Sequence, residues 1–147
     1  MVKTIRNQTE FEIVINKSRF IGLLIPISDV EEVPLYLEEA RELYPNATHY
    51  CYAYIIDQYK KASDDGEPSK TAGMPMLNVL EKNELDHVLA IVIRYFGGIK
   101  LGAGGLVRAY SQSVVETLSH ADIVTKVKAP IMRFSLIIIL VVKWIIS

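Results

Sequence analysis

The segment from Val88 to Leu118 constrains this chain more than any other part of it. Val88 to Phe96 is a continuous apolar run with the length and Ile/Val content of a strand, ending in Arg94-Tyr95-Phe96. Five glycines then stand among the nine residues from Gly97 to Gly105. From Leu106 to Leu118 the spacing of Val107, Tyr110, Val114 and Leu118 predicts a helix with those four side chains buried. The order is therefore strand, glycine loop, helix. Glycine permits positive φ and close approach of a ligand to the backbone. The N–H groups that open a helix have no intrahelical acceptors, so they offer an anion site. The helix dipole adds roughly 0.3–1 kcal/mol to such a site at an exposed terminus.

Charge points the same way. From His87 through Val115 there is no carboxylate, while Arg94, Lys100 and Arg108 are positive. A phosphate is the natural guest, and the competing reading is that the glycines let helix pack closely on strand. Neither G-x-x-x-x-G-K-S/T nor G-x-G-x-x-G occurs, so no nucleotide follows from the motif alone. The candidate phosphate- or RNA-binding set is Arg94, Tyr95, Gly97, Gly98, Lys100, Gly102, Gly104, Gly105 and Arg108.

A second signal lies in the polar stretch Gln58 to Gly73, whose turn formers predict an exposed loop. It carries Asp64, Asp65, Glu67 and Ser69. The carboxylates could hold Mg²⁺, accept hydrogen bonds from Arg94 or Arg108, or simply solvate a turn. No catalytic constellation is legible. His49, His87 and His120 lack metal spacing, and Cys51 sits within a strand with no cation nearby.

The remaining chain reads as strands grouped first, with helices interspersed but not strictly alternating. Glu10 to Ile15 and Arg19 to Ile27 form a hairpin around Asn16-Lys17-Ser18. Ser28 and Asp29, followed by Glu31 and Glu32, supply capping-box registers for a helix burying Val33, Leu37, Ala40 and Tyr44. Pro45-Asn46 stops it. His49 to Ile56 is a strand with Tyr50, Tyr52 and Tyr54 on one face and Cys51, Ala53 and Ile55 on the other. The tyrosine face could stack bases, meet a protein partner or pack under a helix. Pro75 opens a short helix through Leu80, and Val124 to Val127 begins a last strand. Such an order predicts an α+β two-layer domain.

At 147 residues and 50% hydrophobic content, the chain can bury one full core without disulfide or metal. A formal charge of -1 excludes a polybasic protein held to nucleic acid by bulk charge. One cysteine fits a reducing compartment, and the polar Met1 to Glu10 has no signal-peptide pattern. Mean hydropathy is +0.23, raised by Ile131 to Ile146. Its longest uninterrupted apolar stretch, Leu136 to Val142, falls far short of the ~20 residues of a membrane span. A buried strand is the reading, with a tail anchor or an abnormal reading frame as alternatives.

Two blocks carry a resemblance. Ser63-Asp64-Asp65-Gly66-Glu67-Pro68-Ser69 with Thr71-Ala72-Gly73 and Pro75-Met76-Leu77-Asn78-Val79-Leu80 resembles the signature of the YigZ/IMPACT family. So does Ile93 to Gly102 followed by Gly104-Gly105-Leu106-Val107-Arg108-Ala109-Tyr110. The resemblance spans Glu10 to Arg133 and implies an N-terminal domain, residues 1–128, with the ribosomal protein S5 domain 2-like two-layer sandwich. It implies a cytoplasmic, non-enzymatic protein that binds RNA or ribosome in translation regulation, with no cofactor and no membrane. The competing reading is a Mg-dependent enzyme acting on a phosphorylated small molecule or nucleotide. Lys70 stands where the family usually has glycine and Met74 where it usually has a basic residue. Residues 129–147 read as a truncated or aberrant start of a ferredoxin-like second domain, with Ile137 to Ser147 resembling the product of a one-base frameshift.

Overall fold

A computed structural model describes residues 2–126. The elements are β1 (Val2–Ile5), β2 (Thr9–Ile15), β3 (Ser18–Pro26), α1 (Glu32–Leu43), β4 (His49–Ile56), β5 (Tyr59–Ser63), α2 (Gly73–Lys82), β6 (Val88–Tyr95), α3 (Gly102–Ser119) and β7 (Ile123–Lys126). Five strands form an antiparallel sheet in the order β2-β3-β6-β4-β5, and β1 pairs with β7 in a separate two-stranded sheet. The second-domain and reading-frame expectations fall on residues outside those described.

The sheet is built from two tight hairpins set on either side of β6. Asn16 (φ 46°) and Lys17 (φ 65°) turn β2 into β3, and Asp57 (φ 49°) and Gln58 (φ 70°) turn β4 into β5. Two consecutive left-handed residues match the twist of the flanking strands, the geometry of a type I′ turn. The second hairpin corrects the expectation of a continuous loop over Gln58 to Gly73. Tyr59-Lys60-Lys61-Ala62-Ser63 pairs with β4 as an edge strand, where one side can face water and polar residues suffice.

Both faces of the sheet are covered, which corrects the two-layer expectation. On one face α2 and α3 pack over Phe20, Leu24, Cys51, Ala53, Val88, Ala90 and Val92. On the other, Val33, Leu37 and Ala40 of α1 meet Ile21, Leu23, Ile25, Leu89, Ile91 and Ile93. The cause is β6, whose residues Val88 to Ile93 are buried on both sides and need an apolar layer above and below. Mixed antiparallel sheet and three helices make up the described residues.

Helix boundaries follow local chemistry. The Glu32 carboxylate accepts the Ser28 and Asp29 N–H groups and Asp29 accepts the N–H of Glu31, so only the carboxylate-to-backbone half of the Asp29–Glu32 box forms, and Glu31 takes the N-cap position without a side-chain cap bond. In α3 the first turn begins at Gly102, four residues before the expected start, and Val107 faces solvent. The buried stripe is Leu106, Ala109, Tyr110, Ser113, Val114, Thr117 and Leu118. No described helix is long and apolar enough to cross a membrane.

Candidate functional site

Three neighbouring strands place Phe20, Arg94 and His49 in one row: β3 and β6 pair Phe20 with Arg94, and β4 and β6 pair His49 with Arg94. Arg94 is the one charged side chain that β6 directs into the α2–α3 face, and it is 5% exposed. A buried guanidinium needs a partner. The strand and the following helix turn offer no carboxylate, so it comes from the acidic loop.

Glu67 supplies it. One carboxylate oxygen, Oε2, accepts Arg94 Nη1 at 2.8 Å and the Tyr110 hydroxyl at 2.5 Å. The other, Oε1, lies 3.3 Å from His49 Nε2. The Nδ1 of the same imidazole donates to the Asp65 carbonyl at 2.7 Å. Ser18 Oγ accepts Arg94 Nη2 at 3.3 Å and the Gly97 N–H at 3.1 Å. The Cys51 thiol lies 3.4 Å from the Tyr110 hydroxyl oxygen and 3.1 Å from the Asp64 carbonyl. Burial pushes the Cys51 thiol up, and the Glu67, Asp65 and Asp64 charges push it further. Burial also raises the Tyr110 hydroxyl, with Cys51 and Glu67 adding to the effect.

The other acidic residues hold the loop together. Asp64 Oδ1 accepts the N–H groups of Ala72 and Gly73 at the start of α2, and Oδ2 accepts that of Lys70. Asp65 Oδ2 accepts the Tyr50 N–H. Of the three readings of this loop, the bond from Glu67 to Arg94 is present, and the carboxylates are engaged by backbone and side-chain donors. Among the described residues the grouping with metal-ligand spacing is elsewhere, at Asp57, Asp86 and His87. Ser69 is exposed on the loop.

The predicted phosphate-binding residues divide. Arg94 is held by Glu67 and lies beneath the Phe96 ring, 5.4 Å from its centroid. Tyr95 points to the opposite face, where its hydroxyl donates to the Pro45 carbonyl and Arg19 lies over its ring. Gly97 serves packing, since a Cβ there would fall 2.1 Å from the Lys17 carbonyl. Gly98 (φ +91°) and Gly102 (φ +73°) have open space around them and are required by conformation. Gly104 and Gly105 belong to the first turn of α3, with the Arg108 guanidinium against Gly104. Lys100 and Arg108 are exposed.

These elements enclose a cleft of about 430 Å³ at the N-terminus of α3. Phe96, Leu101, Leu106 and Pro68 give it apolar walls, and Thr48, His49, Glu67, Arg94 and Lys100 also line it, with the Glu67 charge already met by Arg94. Sequence reasoning missed His49, Ser18 and Tyr110. The available signals were a charge inside an apolar strand, which demands a partner, and the strand alternation that puts His49 on the Cys51 face. On the tyrosine face Tyr54 is buried and Tyr50 and Tyr52 are half-buried against the cluster that α1 shares with the sheet, while Tyr52, Tyr54 and the exposed Tyr59 stack in series.

Residues 16–118 match the Impact N-terminal domain. The chain belongs to the IMPACT family. This IMPACT-family chain is 50% identical over 135 residues to the IMPACT family member YvyE of Bacillus subtilis, covering 90% of the chain and 62% of that protein. It is 40% identical over 127 residues to the IMPACT family member YigZ of Escherichia coli, covering 83% and 61%. It therefore spans less than two thirds of the length of either. A solved crystal structure of a hypothetical protein matches with a TM-score of 0.81 and 37% identity, over 85% of this chain and 63% of that one.

Proposed function

We propose that this domain is a non-enzymatic, cytoplasmic, translation-associated module that binds RNA or ribosome through the N-terminus of α3. The observation that carries the reading is the position of Lys100 and Arg108. Both are exposed beside the first turn of an 18-residue helix, whose leading N–H groups lie in the glycine segment. Phosphate would take its hydrogen bonds from that backbone and its charge neutralisation from the two side chains. Arg94 belongs to the supporting layer, because its charge is already met by Glu67. The S5 domain 2-like classification implied by the family resemblance is part of the same proposal; the antiparallel sheet with α2 and α3 together on one face supports it, and α1 on the other face is then an addition to the two layers.

Fluorescence anisotropy with labelled RNA across a salt series tests it. Each phosphate contact contributes roughly 0.7 to the log–log salt slope on single strands. Lys100→Ala with Arg108→Ala should weaken binding and flatten the slope by about 1.4. An unchanged affinity and slope would remove this site from consideration. The enzyme reading needs the acidic loop to hold Mg²⁺, and the engagement of Asp64 and Glu67 argues against it. A rise in melting temperature with a nucleotide and Mg²⁺, absent with RNA, would favour that reading instead.

A further inference from the structure

Resting on the RNA-binding reading, we infer that the cleft at the N-terminus of α3 receives a single unstacked nucleotide, so that the domain prefers single-stranded over duplex RNA. Three observations carry this. The cleft, at about 430 Å³, is the size of a small-ligand pocket and has mainly apolar walls. A flat aromatic stands at its edge: Phe96 is 47% exposed, with the Arg94 guanidinium, itself held by Glu67 and Ser18, on one side of its ring. Lys100, Gly102 and Ala103 line the same cleft, which puts a cation and helix-opening amides within reach of whatever enters.

These features select one chemistry. An aromatic face and apolar walls suit a base plane, while the helix N-terminus and Lys100 suit the phosphate attached to it. A duplex cannot supply the base, because its bases are stacked and paired and its deep major groove is closed to side chains. Bulk phosphate attraction alone would not favour an unstacked base over a duplex.

The test compares a single-stranded RNA with a duplex of equal length and phosphate number, using the full chain. The single strand should bind at least tenfold more tightly. Phe96→Ala should weaken it by roughly 5- to 100-fold, the effect of losing one stacked base, with the salt slope unchanged. Phe96→Trp should restore binding, which separates stacking from a packing defect. Equal affinity for both RNAs, with Phe96→Ala silent while the Lys100/Arg108 double variant still loses binding, overturns the inference and leaves the RNA-binding reading standing. Failure of both RNAs to bind overturns the two together.

Discussion

Glu67 accepts from Arg94 and Tyr110 and lies against His49, so three elements and a loop meet at one carboxylate. Breaking a buried ion pair by removing one partner costs about 3–5 kcal/mol, whereas the intact pair adds little over an apolar substitute. Its value here is in position: it ties the loop to β6 and α3 and fixes the cleft floor. Lys70 shows a different residue-scale cost. It sits at φ 64°, a conformation costing about 1–2 kcal/mol for a side chain with Cβ, and its N–H is held by Asp64. Cys51 and Tyr110 make the network sensitive to alkali. The folded state keeps both protons, while an unfolded chain gives up the thiol proton near pH 8.5 and the phenol proton near 10. Above those values the unfolded state binds fewer protons, so stability falls as pH rises. Tyr44, pushed up to about 12 by its bond to Glu10 and then by burial, acts in the same sense. Urea midpoints should hold from pH 7 to 8 and decline from about 8.5, more steeply past 10. Cys51→Ala should flatten the first part of the decline; a midpoint constant to pH 10.5 would refute the account.

At the scale of elements, α3 lies on β3 at Gly22, where an added Cβ would stand 2.2 Å from Thr117 Oγ1 and 3.0 Å from Ser113 Oγ. Both hydroxyl residues are buried in the helix face, so they have little room to turn. Gly22→Ala should therefore destabilise by roughly 1–3 kcal/mol, the cost of overpacking a close contact. Chemical denaturation of the variant measures it, and a neutral result would mean that the helix can lift off the strand without loss. The same contrast between local and distant causes explains what could be read in advance. The first hairpin, α1 and β4 were legible because their turn residues, cap signals and alternation are local. The edge strand β5 was not, since Tyr59-Lys60-Lys61 becomes a strand only by pairing with β4. The start of α3 was misplaced because glycine is a poor helix former, and Gly102–Gly105 become helical only in the company of Leu106 and Tyr110. The strand β1 lies in a polar N-terminal stretch and depends on β7, more than a hundred residues away. The charged row was half visible: Arg94 was singled out, but its partner and its burial came from tertiary placement.

For the molecule as a whole, stability should be graded from the middle of the sheet outward. Amide hydrogens of β3, β6 and β4 lie between two apolar layers and have strands on both sides, whereas β5 and β7 are mostly exposed. Hydrogen exchange should be slowest in β6 and its two neighbours and fastest in β5 and the β1–β7 pair. Equal protection across all strands would contradict this gradient. The strand order also sets a schedule for the nascent chain. Among the described strands β6 is the one that joins the β2–β3 and β4–β5 hairpins into a sheet, and it is made about 60 residues after β3 ends. At roughly 5–20 residues per second, the first hairpin waits on the order of 3–12 s during synthesis before its partner exists. Throughout that interval Ile21, Leu23 and Ile25 have no sheet neighbour on the β6 side. A growing polypeptide of this design is most vulnerable to trapping by chaperones or by its fellows just before its central strand emerges.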